Sequence, residues 1–377
     1  MINHEQIEHH LSSIITLREL QLLVLDIPQK EVFKSAIGKR ESRVALIVKW
    51  VSEDGVEGFG ECSCRPDPFY SHEFVSGAIK VIKEFIFPLL AKKQTYKELL
   101  EKISKIRGWN FTKAAIEFAA NDVLRRQTGV GLIEASGLAK IEKVPVGISL
   151  GMFDSVNSLE NKLTDLLDSN YQRLKFKISP SYNNDKIIKY LSELEHSNIS
   201  FDANGSFVPG YFEILEKYAA LWYIIEQPFP PGELYLYQKY VKDHQEFRIC
   251  LDEDIESYGN LVSMGLHTDE VNIKPGRVGG LFNTLRMIDY TNKHAIKTWI
   301  GGMFETGIGR AQNLQIASLL PDAKAHDLSP SSRYFKRDVV KNPITMENGF
   351  VDKSTFEKID VDESAIEEML VERIILK

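Results

Sequence analysis

Apolar and polar residues alternate with a period of two along much of the first third of the chain. LRELQLLVLDI (17–27), SRVALIVKWVS (42–52) and VEGFGEC (56–62) read as strands, and Asp54-Gly55 between the last two is a hairpin turn signal. The period then changes. Residues 72–90 and 95–106 carry mixed apolar and charged helical patterns, while Thr112 to Thr128 places Ala115, Ile116, Ala119, Ala120, Val123 and Leu124 on one stripe. Thr112 lies close to an N-cap position and Gly129 is a natural stop. Residues 1–143 are therefore expected to form an α+β lobe. Its first 17 residues read as a polar leader, with His4, His9 and His10 on an exposed tail.

From Val144 the texture becomes an alternation of short apolar strands and helical segments. Candidate strand ends are VGIS (146–149), LKFKI (174–178), ISFDAN (199–204), WYIIEQ (222–227), ICLDE (249–253), VNIKP (271–275), TWIGG (298–302) and HDL (326–328). Eight is the number a closed parallel barrel needs, so an α/β fold with a (β/α)8-type barrel is expected over 144–335. A repeat protein would share sequence between its units, and these segments share only their strand-helix plan. A doubly wound open sheet binds ligands at one switch point and has no need of charged residues on five consecutive strands. Residues 336–377, with the strand-like VERIILK, are expected to return to the first lobe and complete it as a capping domain.

Composition narrows the function classes. With 377 residues, 43% hydrophobic and 26% charged, the chain can bury a full core, which excludes disorder. A net charge of −7 argues against nucleic acid as the main partner. Cys62, Cys64 and Cys250 are an odd set without framework spacing, and the C-x-C pair lacks the further ligands of a zinc site. The N-terminus has acids and histidines where a secretory signal would be basic and then apolar, and no apolar run reaches the ~18 residues of a membrane span. A soluble cytoplasmic protein with no membrane partner is expected.

Five of the strand ends carry charge. Lys177, Asp202, Glu226, Asp252 and Lys274 follow one another at nearly equal intervals, each about one strand plus one helix long. Active sites of (β/α)8 barrels gather at the C-terminal ends of the strands, so five charged ends describe one site. Asp202, Glu226 and Asp252 offer hard oxygen donors with no His or Cys, which suits Mg2+, or Mn2+, rather than zinc. Lys175 and Lys177 flank Phe176, and the period of two puts both ammonium groups on one face. A close cation lowers the proton affinity of its neighbour, so Lys175 and a metal would tune Lys177 toward a base. Asn204 lies on the same face as Asp202. Glu253 directly follows Asp252, so alternation turns it away, toward a supporting or surface role.

KFK (175–177), DAN (202–204), EQP (226–228), LDE (251–253), IKPGRVGG (273–280) and GGMFETGIGRA (301–311) resemble the successive barrel motifs of the o-succinylbenzoate synthase and N-acylamino acid racemase branch of the enolase superfamily, within its muconate-lactonizing-enzyme-like subgroup. GFGECSCRPDPFYSHE (58–73) resembles the family's N-terminal-lobe segment, whose loops close over the substrate. The resemblance implies Mg2+ held by Asp202, Glu226 and Asp252, Lys177 as the base, Lys175 as its partner in the KxK pair, and Lys274 on the opposing face. It implies that Gly301, Gly302 and Met303 form a wall of small residues beside a succinyl arm. It also implies a small carboxylate substrate and a homo-oligomer.

The activity so implied is Mg2+-dependent syn dehydration of succinyl-hydroxycyclohexadiene carboxylate to o-succinylbenzoate in menaquinone biosynthesis, through lysine proton abstraction and an enediolate. The alternative is racemisation of N-succinyl or other N-acylamino acids by the same groups. A non-catalytic protein keeping the fold would be expected to have lost a ligand or a lysine, and none is lost. Two departures stand out. His326 precedes Asp327 where relatives often carry Gly, a change expected on the far wall of the pocket, and the leader has no clear counterpart. The last strand lacks the Asp-x-Asp pair that would point to dipeptide epimerases.

Overall fold

The computed structural model describes residues 2–35, 38–167, 169–181, 185–194, 198–221, 224–243, 248–265 and 268–377. Trp222 and Tyr223, at the start of one expected strand, lie outside the described residues. The alternating N-terminal segments form an antiparallel sheet of Glu19–Ser35, Gly38–Val51 and Glu57–Cys62, and the C-terminal strand Leu370–Leu376 pairs along the outer edge of the first. The helix Asn110–Thr128 lies on this sheet at very short range. Gly58 and Gly60 make that possible: a Cβ at Gly60 would sit 2.8 Å from Ala119 N, and one at Gly58 would sit 2.5 Å from Val123 N. The alanine stripe read from the sequence is the other half of this contact.

That helix begins at Asn110, two residues before the expected cap. Glu73 supplies the cap from outside, accepting from Phe111 N (2.9 Å), Thr112 N (3.0 Å) and Thr112 Oγ1 (2.8 Å). Gly129 ends the helix in the left-handed region at φ 78°, as its identity predicts. The leader is not an exposed tail. His4–Leu11 is a helix capped by the Asn3 side chain, and Ile14–Thr16 pairs with Lys93–Thr95. Ile7, His10 and Leu11 recur at helical spacing and are buried, so the segment is held by an apolar face that its many polar residues obscure.

The second half is an all-parallel curled sheet of Ile148–Leu150, Leu174–Lys177, Ile199–Asp202, Ile224–Glu226, Arg248–Leu251, Glu270–Ile273 and Lys297–Ile300, paired in chain order with a helix after each strand. The eighth expected strand, 326–328, is not a regular strand. His326 and Asp327 make single parallel bridges to Val146 and Gly301, at opposite edges of the sheet. His326 is wholly buried at this seam, where its Nδ1 accepts from Ile300 N (2.9 Å). Burial and the nearby Arg173 push its pKa down to about 3, so it is a neutral part of the seam rather than a pocket wall.

Buried carboxylates join the two halves. Glu61 accepts from Thr306 N (2.9 Å), Thr306 Oγ1 (2.7 Å) and Gly309 N (3.2 Å) at the start of the helix Gly307–Ala317. Glu117 accepts from Phe282 N (2.7 Å) at the start of Leu281–Lys293 and from Tyr96 Oη (3.2 Å). Each places negative charge where free N–H groups and the helix dipole favour it. Burial still pushes both pKa values up to about 7.

Candidate active site

Strand register brings the charged ends together. Lys177 pairs with Asp202, and Asp202 with Glu226, while Asp252 follows the strand that neighbours Glu226. Lys177 Nζ donates to Asp202 Oδ2 (2.8 Å) and to Asn204 Oδ1. Lys274 Nζ donates to Asp252 Oδ2 (2.8 Å) and to Tyr70 Oη (2.7 Å). Lys175 is buried among three acids, 2.6 Å from Glu226 Oε2, 3.5 Å from Asp202 Oδ2 and in contact with Asp327. Burial opposes its charge, yet Asp327, Glu226 and Asp202 hold its pKa well above the lysine range. Lys274 is likewise held up against burial, chiefly by Asp252. The neighbouring carboxylates thus favour the charged form of both lysines.

The acids differ among themselves. Burial would raise Asp202 and Asp252, but neighbouring cations (Lys177 and Lys175 for Asp202, Arg277 and Lys274 for Asp252) bring both below the usual carboxylate range. Glu226 goes the other way, to about 8, because burial and the charges of Asp202, Asp252 and Asp327 outweigh Lys175. Glu253 does not turn away. The strand ends at Leu251, alternation stops with it, and Glu253 accepts from Asn204 Nδ2 (2.9 Å) within the site. Burial and Asp252 push it up to about 7, and its Oε2 is buried without a hydrogen-bond partner among the described residues.

Among the described residues no three acidic, His or Cys side chains are gathered as a ready metal cage; each acid faces a cation. The donor chemistry nevertheless suits a hard divalent ion. Asp202, Glu226 and Asp252 are all buried, all oxygen donors and on or just past neighbouring strands.

Several residues in this network were not singled out by the sequence. Asn272 donates from Nδ2 to Glu226 Oε1 (2.8 Å). It stands two residues before Lys274, so the period-two argument used for Lys175 and Lys177 would have found it. Gln227, in the left-handed region at φ 41°, accepts from Asp252 N (3.0 Å) and donates to Asp254 Oδ2 (2.6 Å). Arg277 lies 2.7 Å from Asp252 Oδ1 and donates to Tyr70 Oη (3.2 Å). Asp327 pairs with Lys175 and with Arg173 (2.6 Å), whose guanidinium stacks 3.8 Å from the Trp299 ring centroid. Tyr70 comes from the N-terminal lobe. Burial pushes its phenol up to about 12, so it remains protonated.

The glycine pair has a structural reason. A Cβ at Gly301 would collide with Asn272, reaching 2.8 Å from Nδ2, and one at Gly302 would sit 2.8 Å from Asp327 O and closer to Arg310. These glycines thus make room for protein side chains, whatever passes outside them. Arg310, fully buried, pairs with Glu305 (2.9 Å), and Glu305 accepts from Met303 N (2.6 Å), which fixes the 301–305 turn.

A family model described as enolase C-terminal domain-like matches residues 158–355. The chain belongs to the enolase superfamily. It is 31% identical over 349 residues to o-succinylbenzoate synthase of Bacillus subtilis, covering 90% of this chain and 92% of that one. It is 30% identical over 339 residues to N-succinylamino acid racemase of an Amycolatopsis species, covering 88% and 90% respectively. Among solved structures, an enolase superfamily member from Listeria innocua superposes with a TM-score of 0.88 at 28% identity, over 96% of this chain and 99% of that one. At that coverage the superposition spans both the parallel sheet and the sheet-rich N-terminal lobe. No described helix is long and apolar enough to cross a membrane.

Proposed function

We propose that this chain is an o-succinylbenzoate synthase, dehydrating succinyl-hydroxycyclohexadiene carboxylate. Similarity to o-succinylbenzoate synthases favours dehydration, and the observation that carries the proton-abstraction chemistry is the strand order. Lys177 and Lys274 stand on the strands that flank three consecutive acid-bearing strands, and each lysine is hydrogen-bonded to the outer acid beside it. We read the curled sheet as a (β/α)8 barrel closed through His326 and Asp327, which turns the flanking strands toward one another across the mouth.

Asp202, Glu226 and Asp252 would hold Mg2+, or Mn2+, which when bound neutralises the charge that develops on the substrate carboxylate. Lys177 takes the α-proton at Nζ and returns it to the departing hydroxide on the same face. Lys274 stays cationic across the site and stabilises the anion electrostatically. Lys175 and Asn272 hold Glu226 from either side, and Gln227 fixes the backbone of Asp252. The free, buried cysteines suit a reducing cytoplasm, where menaquinone precursors would be processed.

Racemisation of N-succinylamino acids is the second reading, favoured by Lys274 standing, like Lys177, hydrogen-bonded to an outer acid of the cluster. One preparation assayed on both substrates decides between them. Elimination with the larger kcat/KM supports the first reading; undetectable elimination beside fast racemisation replaces it with the second. Lys274→Ala should retain α-hydrogen exchange on one enantiomer only, and loss from both would count against opposed lysines.

A further inference from the structure

We propose that Tyr70 of the N-terminal lobe is a positioning residue for Lys274, so that one of the two lysines is aimed by the lobe and the other by the parallel sheet alone. This rests on the reading of Lys177 and Lys274 as groups on opposite faces of a substrate. Lys274 Nζ has three hydrogens, and two are committed, to Asp252 Oδ2 at 2.8 Å and to Tyr70 Oη at 2.7 Å. Only one direction remains for substrate. Arg277 Nη1 donates to the same phenol oxygen at 3.2 Å, so the tyrosine ties the lysine to the guanidinium that also faces Asp252.

Among the described residues Lys177 has no such partner from the lobe. Its hydrogen bonds go to Asp202 and Asn204, both on the sheet side of the molecule. The asymmetry extends to the surrounding backbone. The turn after Lys274 is pressed against the lobe at Gly276, where a Cβ would sit 2.6 Å from Ser63 Oγ and 2.8 Å from Phe111 Cδ1. The loop that carries Tyr70 is fixed three residues later by Glu73 on Phe111 N and Thr112 N. A change in how this loop seats is thus transmitted to Lys274 through one phenol oxygen, and among the described residues no comparable contact leads to Lys177.

Tyr70→Phe removes that oxygen and keeps the ring. The test follows α-hydrogen exchange into each enantiomer of an N-succinylamino acid in D2O by NMR, on the full chain supplied with Mg2+, with Lys274→Ala identifying the enantiomer served by Lys274. Tyr70→Phe should slow exchange of that enantiomer about tenfold, the order expected from losing one hydrogen bond to a charged group, and leave the other within about twofold. Lys177→Ala/Tyr70→Phe, compared with Lys177→Ala, should show the same tenfold loss in the exchange that survives. Equal slowing of both enantiomers, or of neither, overturns the role of Tyr70 while leaving the two-lysine reading intact. If the unaltered enzyme exchanges neither enantiomer, or if Lys274→Ala slows both alike, the two-lysine reading fails and the Tyr70 proposal with it. Urea midpoints for each variant separate a slowed site from a loosened lobe.

Discussion

Glu117 offers a sharp test of how the two halves are joined, because a neutral isostere should change the pH dependence of stability in a defined direction. Its carboxylate is buried at the start of the helix Leu281–Lys293, and burial raises its pKa from 4.5 to about 7. Because the folded value lies above the unfolded one, the native state holds the extra proton between them. Stability from this group is therefore fully present below about 4.5 and is lost as pH rises through about 7. At ~1.4 kcal/mol per tenfold change in proton affinity, the loss is about 3 kcal/mol.

Glu117→Gln keeps an oxygen for Phe282 N and cannot ionise. It also turns an amide toward the Leu281 N–H that approaches the carboxylate, a pH-independent penalty of about 1–3 kcal/mol. The informative quantity is therefore the slope. Urea unfolding followed by tryptophan fluorescence at pH 5 and pH 8 should show the unaltered protein losing about 2–3 kcal/mol more across the interval than Glu117→Gln does. Glu61 contributes a fall of the same sign to both proteins and cancels in the comparison. Parallel profiles for the two proteins would refute the argument that a buried, protonatable carboxylate sits at this junction.

Metal binding should be visible without substrate: raising Mg2+ to 100 times its Kd should add about 2.7 kcal/mol of stability, read as a higher melting temperature, and Asp252→Asn should abolish most of the rise. Lys175→Ala removes the cation shared by Glu226, Asp202 and Asp327, and should cost about 3–5 kcal/mol in metal-free urea unfolding; a cost under about 1 kcal/mol would mean that the three acids are not held by this lysine. Gly301→Ala should dislodge Asn272 from Glu226, lowering kcat and costing about 1–3 kcal/mol of stability. Gly259→Ala, within the helix Tyr258–Met264 and meeting only Ser257 Oγ at 3.7 Å, should instead stabilise by about 0.5–1 kcal/mol in the same measurement.

The parts of this molecule legible in its sequence are those with a local period. The antiparallel strands follow from alternation, and the close helix-on-sheet contact is written twice, as Gly58 and Gly60 on one element and as Ala115 and Ala119 on the other. Lys177, Asp202, Glu226, Asp252 and Lys274 stood out because each ends an apolar run. What escaped depends on distance or on the end of a period. Tyr70 meets Lys274 across 204 residues, a pairing that no window of sequence displays. Glu253 lies past the last strand residue, where alternation no longer applies. The glycine pair after Trp299 and Ile300 resembled a wall beside a ligand, and the close approach of Asn272 and Arg310 to the same pair is a second reason for it that the sequence does not display. A glycine states that something approaches closely; only the fold states what.

The unequal support of the two lysines bears on the two candidate reactions. Syn elimination asks one lysine to take a proton and give it back on one face, and asks the other only to remain charged. Racemisation asks both to move a proton, so both must be aimed. Lys177 is aimed by Asp202 and Asn204, from strands that also build the acidic cluster, and any change there disturbs both reactions together. Lys274 is aimed partly by Tyr70, from a lobe whose described residues supply none of the three acids of the cluster. Altering the lobe can therefore weaken the aim of Lys274 without removing its charge, because Asp252 still holds that charge in place. Such a change should depress racemisation more than elimination. On this chemistry, the N-terminal lobe can select between the two reactions through the orientation of one ammonium group, as well as through the shape of the pocket.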